Sequence, residues 1–321
     1  MKIGVLTSLF ADKSLDETLV YLKKVGFEAV ELYTGPLAPN THCDPEILLS
    51  SETELEKFKD TLKRHDVFIS LLNCAGNPVS PIPGVAEKNK KHFLNTIRLA
   101  EKLGVDTIAN FSGCPGGGPK DETPNWVTCP WPEEHLLMLE YQWDEVLIPY
   151  WKWAADEAAN YGVTKIGLEM HPGFCVYNPE TLLKLRSAVG EAIGSNFDPS
   201  HLVWQGIDIP QAVLKLEGAI FHMHAKDTRV FKSNVLINGV LDTKHYADEK
   251  NRAWVFGTVG YGNDEKYWRG VMDALAMTGY DYVISIEHED SLMSKEEGLE
   301  KAYSFLRNVM IKEKPGAMWW A

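Results

Sequence analysis

Four segments in the second half of the chain each carry a strand-like run up to a side chain that binds cations well: Glu169 closes IGLE, Asp198 closes SNFD, His224 follows IFHM and Glu287 closes VISIE. Three carboxylates and one imidazole form a mostly oxygen donor set suited to one divalent cation. Mn²⁺ is the foremost expectation, with Mg²⁺, Co²⁺ or Zn²⁺ as alternatives. The first three residues follow one another at about one βα unit of roughly 30 residues. The longer gap to Glu287 fits one further unit plus an inserted loop.

Carboxylates crowded at neighbouring strand ends repel one another, and a cation between them removes that repulsion. With coordination positions left open, such a cation can hold a hydroxyketone or diol and acidify the C–H beside its carbonyl. Proton abstraction alpha to a carbonyl, through an enediolate, is the reaction this set suits. Glu169 and Glu287 are the candidate acid/base pair. His201, three residues after Asp198, is placed to donate to a substrate hydroxyl or a developing oxyanion. His171 and Lys226, each two residues beyond a ligand candidate, point to the same mouth if strand alternation persists. Glu289 and Asp290 follow closely enough to compete with Glu287, which is preferred because it adjoins the apolar run. Taken singly, each of these groups reads better as a cap, an ion-pair partner or a hydrogen-bonded loop residue than as a functional one. Four at matching strand ends are what point to a metal site.

Around this set, His222 is expected to face the surrounding helices. Glu31, Asn73 and Asn110, at the ends of earlier strands, are expected to shape the pocket, with Glu31 alternatively balancing a Lys or Arg. Trp126, Trp131, Trp204 and Trp254 either stack on sugar or aromatic faces or pack their loops down.

The elements that must position these residues alternate from end to end. Strands are expected at 2–9, 29–33, 68–73, 107–111, 165–169, 194–197, 219–224 and 282–287. Helices are expected at 14–25, 52–65, 86–103, 143–161, 179–188, 209–216, 264–277 and 294–311. Eight strands alternating with eight helices read as one (β/α)₈ TIM barrel over residues 1–321, with catalytic groups where strands end. A long, irregular insertion follows strand four (112–139), and a second long insertion follows strand seven (228–263). A doubly wound fold is the alternative, but no Gly-rich phosphate or dinucleotide fingerprint supports it.

Composition narrows the function classes. A chain of 321 residues, 45% hydrophobic and 24% charged, can bury a substantial core. Its net charge of −13 opposes sequence-independent nucleic-acid binding, which relies on Lys and Arg displacing counterions. No apolar run is long enough to span a bilayer, and the N-terminus enters a strand at once, so a cytoplasmic protein is expected. Five cysteines without a CxxC pair read as free thiols. The apolar tail Met318-Trp319-Trp320 points to a subunit contact, with a second copy or with a partner.

The runs Phe197-Asp198-Pro199-Ser200-His201-Leu202, His222-Met223-His224-Ala225-Lys226-Asp227 and Ile286-Glu287-His288-Glu289-Asp290 resemble the xylose isomerase-like TIM barrel superfamily of sugar isomerases and epimerases, over nearly the whole chain. The resemblance implies a metal quartet at Glu169, Asp198, His224 and Glu287, a substrate contact at His201, and an acid/base role for the two glutamates. One departure stands out: Cys175 occupies the place of a glutamate found in the ketose 3-epimerases, which puts free ketose epimerisation in question. In length and in its tryptophan-rich loops the chain is also similar to C-glycoside deglycosidase catalytic subunits. Those act on 3-oxo-glycosides with a small β-rich partner subunit, and the likeness implies elimination of an aglycone. Endonuclease IV, of the same superfamily, needs further histidines where this chain has Asn73 and Asn110, and an Asp-x-His where it has only Asp242 and His245. A sugar-binding subunit without turnover is the non-catalytic alternative.

Overall fold

Short runs of Val, Ile and Leu alternate with amphipathic helices, and each helix carries the chain back so that successive strands lie parallel. The computed structural model describes residues 1–313 and 316–320; residues 314, 315 and 321 of the expected 1–321 span lie outside the described residues. The strands are β1 (Lys2–Leu6), β2 (Ala29–Tyr33), β3 (Phe68–Asn73), β4 (Thr107–Phe111), β5 (Lys165–Glu169), β6 (Ile193–Phe197), β7 (Ile220–Ala225), β8 (Asp227–Val230), β9 (Trp254–Gly257) and β10 (Val283–Ile286). Eight of them form a closed barrel in the order β1-β10-β7-β6-β5-β4-β3-β2. Closure comes from β1, which pairs in parallel with β10 on one side and β2 on the other. This is the (β/α)₈ barrel expected from the sequence.

Local chemistry sets the element ends. Ser14 caps the helix Leu15–Val25 with a reciprocal capping box to Glu17, and Gly26 ends it at a φ of 117° that favours glycine. On β5, Gly167 lets the strand lie close against β6: a Cβ there would sit 2.9 Å from the Asn196 backbone nitrogen. That close approach brings the ends of β5 and β6, and with them Glu169 and Asp198, next to each other.

Two expected boundaries differ by several residues. The first strand stops at Leu6 instead of residue 9, because its ladder partners end there, and Thr7–Phe10 winds into a 3₁₀ turn that buries Phe10 against Tyr21 at 5.4 Å. The helix expected from residue 143 begins at Glu134, inside the first insertion, and continues through a π-helical stretch, Tyr141–Leu147, into Ile148–Ala159. Pro149 has no N–H to return to the preceding turn, and just before it the Ile148 N–H reaches back to Trp143 O.

The second insertion carries regular structure of its own. It forms an antiparallel pair, β8 with β9, registered from Asp227↔Gly257 to Val230↔Trp254, with a helix at Lys232–Asn238 between them. Two buried carboxylates tie this flap to the barrel. Asp227 accepts N–H groups from Gly260, Gly262 and Asn263 and from the Trp268 indole, at 3.0 to 3.2 Å. Asp290 accepts from Thr258 N at 2.8 Å and from the Arg229 guanidinium. Trp204 stacks on Trp254 at 4.6 Å, Trp126 meets Tyr177 edge-on at 5.7 Å, and Trp131 is 77% exposed. The loop tryptophans hold loops in place or face solvent. Among the described residues no helix is long and apolar enough to cross a membrane.

Candidate metal centre

The C-terminal ends of β5, β6, β7 and β10 bring Glu169, Asp198, His224 and Glu287 together, each offering a donor atom within 4.8 Å of the others. His224 Nδ1 lies 3.0 Å from Glu287 Oε2 and 3.6 Å from Glu169 Oε2. Asp198 and His224 are fully buried, Glu169 nearly so, and Glu287 half-buried. Asp198 Oδ2, His224 Nδ1 and Glu287 Oε2 are buried among the charged groups of the same cluster. Three carboxylates crowded into one buried site repel one another, and positive charge placed between them offsets that cost. One imidazole nitrogen and several carboxylate oxygens fit a divalent cation in both charge and hardness.

Groups around the quartet set its charge. His201 Nε2 lies 3.0 Å from Glu169 Oε1 and 3.2 Å from Asp198 Oδ2. Lys226 Nζ lies 2.6 Å from Glu289, 3.3 Å from Glu287 and 3.7 Å from Asp198, with the Phe256 ring 4.3 Å away. Glu289 is about half exposed and paired with Lys226, and Asp290 is committed to the flap, so Glu287 is the carboxylate of this run that turns inward.

Burial by itself would raise the Asp198 carboxyl, but the charges of His201 and Lys226 hold it below the usual range. Glu287 is likewise opposed by burial and brought down to about 2 by Lys226 and His224. Glu169 moves the other way, raised by burial and by the charge of Glu287 against the pull of His201. His201 is raised to about 9 by Asp198 and Glu169 in spite of its burial. Burial, with the neighbouring His201 charge, drives His171 well below its ordinary value. Its Nδ1–H donates to Pro172 O at 2.6 Å, so Nε2 is left with a lone pair.

Two expectations are corrected. His222 faces the barrel interior, not the helices, because residues two apart on a strand share a face and His224 points inward. It is fully buried, 2.9 Å from Asn196 Oδ1 and 3.1 Å from Ser70 Oγ. Glu31 balances neither Lys nor Arg: it lies within 2.9 Å of His224 Nε2 and accepts hydrogen bonds from Asn73 and Ser285. Asn110 braces the Gly76 backbone, and Cys175 lines a separate 310 Å³ pocket with Trp126. Asp242 accepts from Ala253 N and His245 from Ala247 N, and neither joins the quartet.

A cavity of about 590 Å³ opens above the quartet. Glu169, His171, His201, Lys226 and Glu287 line its polar side, and Phe111, Tyr246, Val255 and Phe256 its apolar side. Ring stacking builds the apolar wall: Phe111 stacks on Phe174 at 4.5 Å and Tyr246 on Phe256 at 5.7 Å. None of the four loop tryptophans lines this cavity, so the aromatic faces offered to a ligand are phenylalanine and tyrosine.

A closed parallel barrel with an acidic, imidazole-containing cluster at its C-terminal mouth defines the class. The chain belongs to the xylose isomerase-like TIM barrel family, whose sequence profile matches residues 19–309. It is 38% identical over 313 residues to the uncharacterized protein YfiH of Bacillus subtilis (strain 168), covering 97% of this chain and 99% of that one. Among solved structures it resembles the IOLI protein with a bound zinc atom (TM-score 0.66, 20% identity, 96% of this chain and 98% of that chain). A D-tagatose 3-epimerase-like protein gives a TM-score of 0.63 at 21% identity, over 96% of this chain and 98% of that chain. At these identities the likeness to the solved structures is one of fold.

Proposed function

We propose that the protein is a divalent-metal-dependent enzyme that removes a proton from the carbon beside a carbonyl of a sugar or oxo-sugar, as sugar isomerases and epimerases do. The observation that carries this reading is the convergence of donor atoms of Glu169, Asp198, His224 and Glu287, all within 4.8 Å of one another, beneath a cavity of about 590 Å³. Likeness in fold to a zinc-bound protein and to an epimerase-like protein supports it.

Glu169, Asp198, His224 and Glu287 would hold the cation. Bound there, a divalent cation would polarise a substrate carbonyl and acidify the adjacent C–H. The chain's own groups do the rest. Glu169 and Glu287 flank His224 and both reach the cavity, so one can take the proton while the other returns it. His201, held between Glu169 and Asp198, is positioned to donate to a substrate oxygen. His171 offers an acceptor nitrogen at the same wall. Lys226 neutralises Glu287 and Glu289 and keeps the polar side from carrying the full charge of its carboxylates.

A second outcome, elimination from a 3-oxo-glycoside, is favoured by one observation. Phe111, Tyr246, Val255 and Phe256 give the cavity an apolar half that a bare monosaccharide would leave uncovered and an aromatic aglycone would fill. The two outcomes separate on product analysis. Incubation of Mn²⁺-loaded protein with ketoses, inososes and 3-oxo-glycosides should yield epimers or isomers under the first reading and free aglycone under the second. Neither product from any substrate would count against both. The tail, with Trp319 89% and Trp320 70% exposed, supports a contact with a second copy or a small partner subunit. Truncation after Gly316 should then give a smaller species by light scattering.

A further inference from the structure

Glu31 is wholly buried on β2, beneath the cavity and outside its lining, so a substrate bound above the quartet would not touch it. Its two oxygens are nevertheless fully engaged. Oε1 accepts the Asn73 Nδ2–H at 2.7 Å, Oε2 accepts the Ser285 Oγ–H at 2.8 Å, and both lie 2.9 to 3.0 Å from His224 Nε2. The opposite nitrogen of the same ring, Nδ1, faces Glu287 at 3.0 Å and Glu169 at 3.6 Å.

We propose that Glu31 is a positioning residue: by accepting the Nε2–H of His224 it fixes the ring and leaves the Nδ1 lone pair facing the three carboxylates as a cation ligand. The assignment rests on reading the quartet as a cation site. An imidazole with one N–H presents a lone pair at its other nitrogen, and the partner of the N–H decides which nitrogen that is. A carboxylate is the strongest such partner, because the hydrogen bond it accepts is charge-assisted. The Asn196 amide also lies 3.1 Å from Nε2 and 2.9 Å from His222 Nδ1. Turned about, its oxygen would accept the same N–H, since amide oxygen and nitrogen are interchangeable by a flip. Asn196 therefore supports the ring without displacing Glu31. Asn73 and Ser285 in turn hold Glu31, so that β2, β3, β7 and β10 all bear on one imidazole.

The test uses the full chain labelled with ¹⁵N at histidine. Metal-free wild type should show a downfield, slowly exchanging Nε2–H signal, assigned to His224 by its loss in His224→Gln. In Glu31→Gln that signal should move upfield or be lost to exchange, and the Kd for Mn²⁺ by titration calorimetry should rise about ten- to a hundredfold, with Glu31→Asp recovering part of it. Should Glu31→Gln fail to fold, Ser285→Ala, which removes one anchor of Glu31, should move both readouts the same way by a smaller amount. An unchanged Nε2–H signal in Glu31→Gln, or a Mn²⁺ affinity within about twofold of wild type, overturns the proposal. So does a second Mn²⁺ per chain that disappears in Glu31→Gln, since Glu31 would then be a ligand itself. If wild type binds no cation, the quartet reading falls, and the N–H signal alone still decides the role of Glu31.

Discussion

At His224 one imidazole lies between two acidic neighbourhoods, Glu31 below and Glu287 with Glu169 above, and the proposed chemistry needs a cation on the upper side. Removing one donor should show it. Glu287→Gln keeps the shape but lowers the donor charge, and its Kd for Mn²⁺ should exceed that of wild type by about a hundredfold or more, whereas Phe256→Ala, on the apolar wall, should stay within a few-fold. Titration calorimetry compares the two, and equal losses would contradict the reading. The quartet was legible in the sequence because each member closes or follows an apolar run, so strand ends and side chains coincide. His222 was misread although the signal was there: two histidines two apart on one strand must share a face. Glu31 was legible only as a lone carboxylate in the apolar run Val30-Glu31-Leu32. Its partner lies 193 positions away on another strand, and only barrel closure brings the two together.

The barrel's alternation of strands and helices could be read directly, since periodicity is local. The flap could not, because β8 and β9 have four residues each and pair across more than twenty residues of inserted chain. What stabilises them is tertiary: the Trp204–Trp254 stack and the carboxylates Asp227 and Asp290 that collect N–H donors from the flap and its return. Asp227→Ala leaves those donors buried and unpaired, and should cost about 3 to 5 kcal/mol in urea unfolding. Limited proteolysis should then cut within 228–263 ahead of the barrel. If unfolding and cleavage match wild type, Asp227 is not what ties the flap down. The flap supplies Tyr246, Val255 and Phe256 to the cavity, so the same variant should lose affinity for an apolar aglycone while retaining Mn²⁺ binding.

Across the molecule, closure of β1 onto β10 brings the first and last strands together, and stability depends on contacts far apart in the chain. His42 gives this a pH dependence. It is buried, with Nε2 3.0 Å from Lys13 O, and burial holds its pKa below the ordinary value. An unfolded histidine takes up its proton near pH 6.5, before the folded one does, so the contribution of His42 is present above that pH and is lost as the pH falls below it. The urea midpoint should drop between about pH 7.5 and 5.5, and His42→Gln should remove part of that drop, with the buried His171, His222 and His288 contributing to the remainder. An unchanged slope in the variant would assign the pH dependence to other groups. The central claim is metal-dependent proton transfer at a carbon beside a carbonyl. The most direct measurement is deuterium incorporation from D₂O into ketoses, inososes and 3-oxo-glycosides by Mn²⁺-loaded protein, chelated protein and Glu287→Gln. Incorporation next to the carbonyl of at least one substrate, abolished by chelation and by the substitution, is expected. Incorporation that survives both, or none from any substrate while Mn²⁺ is bound, would contradict it.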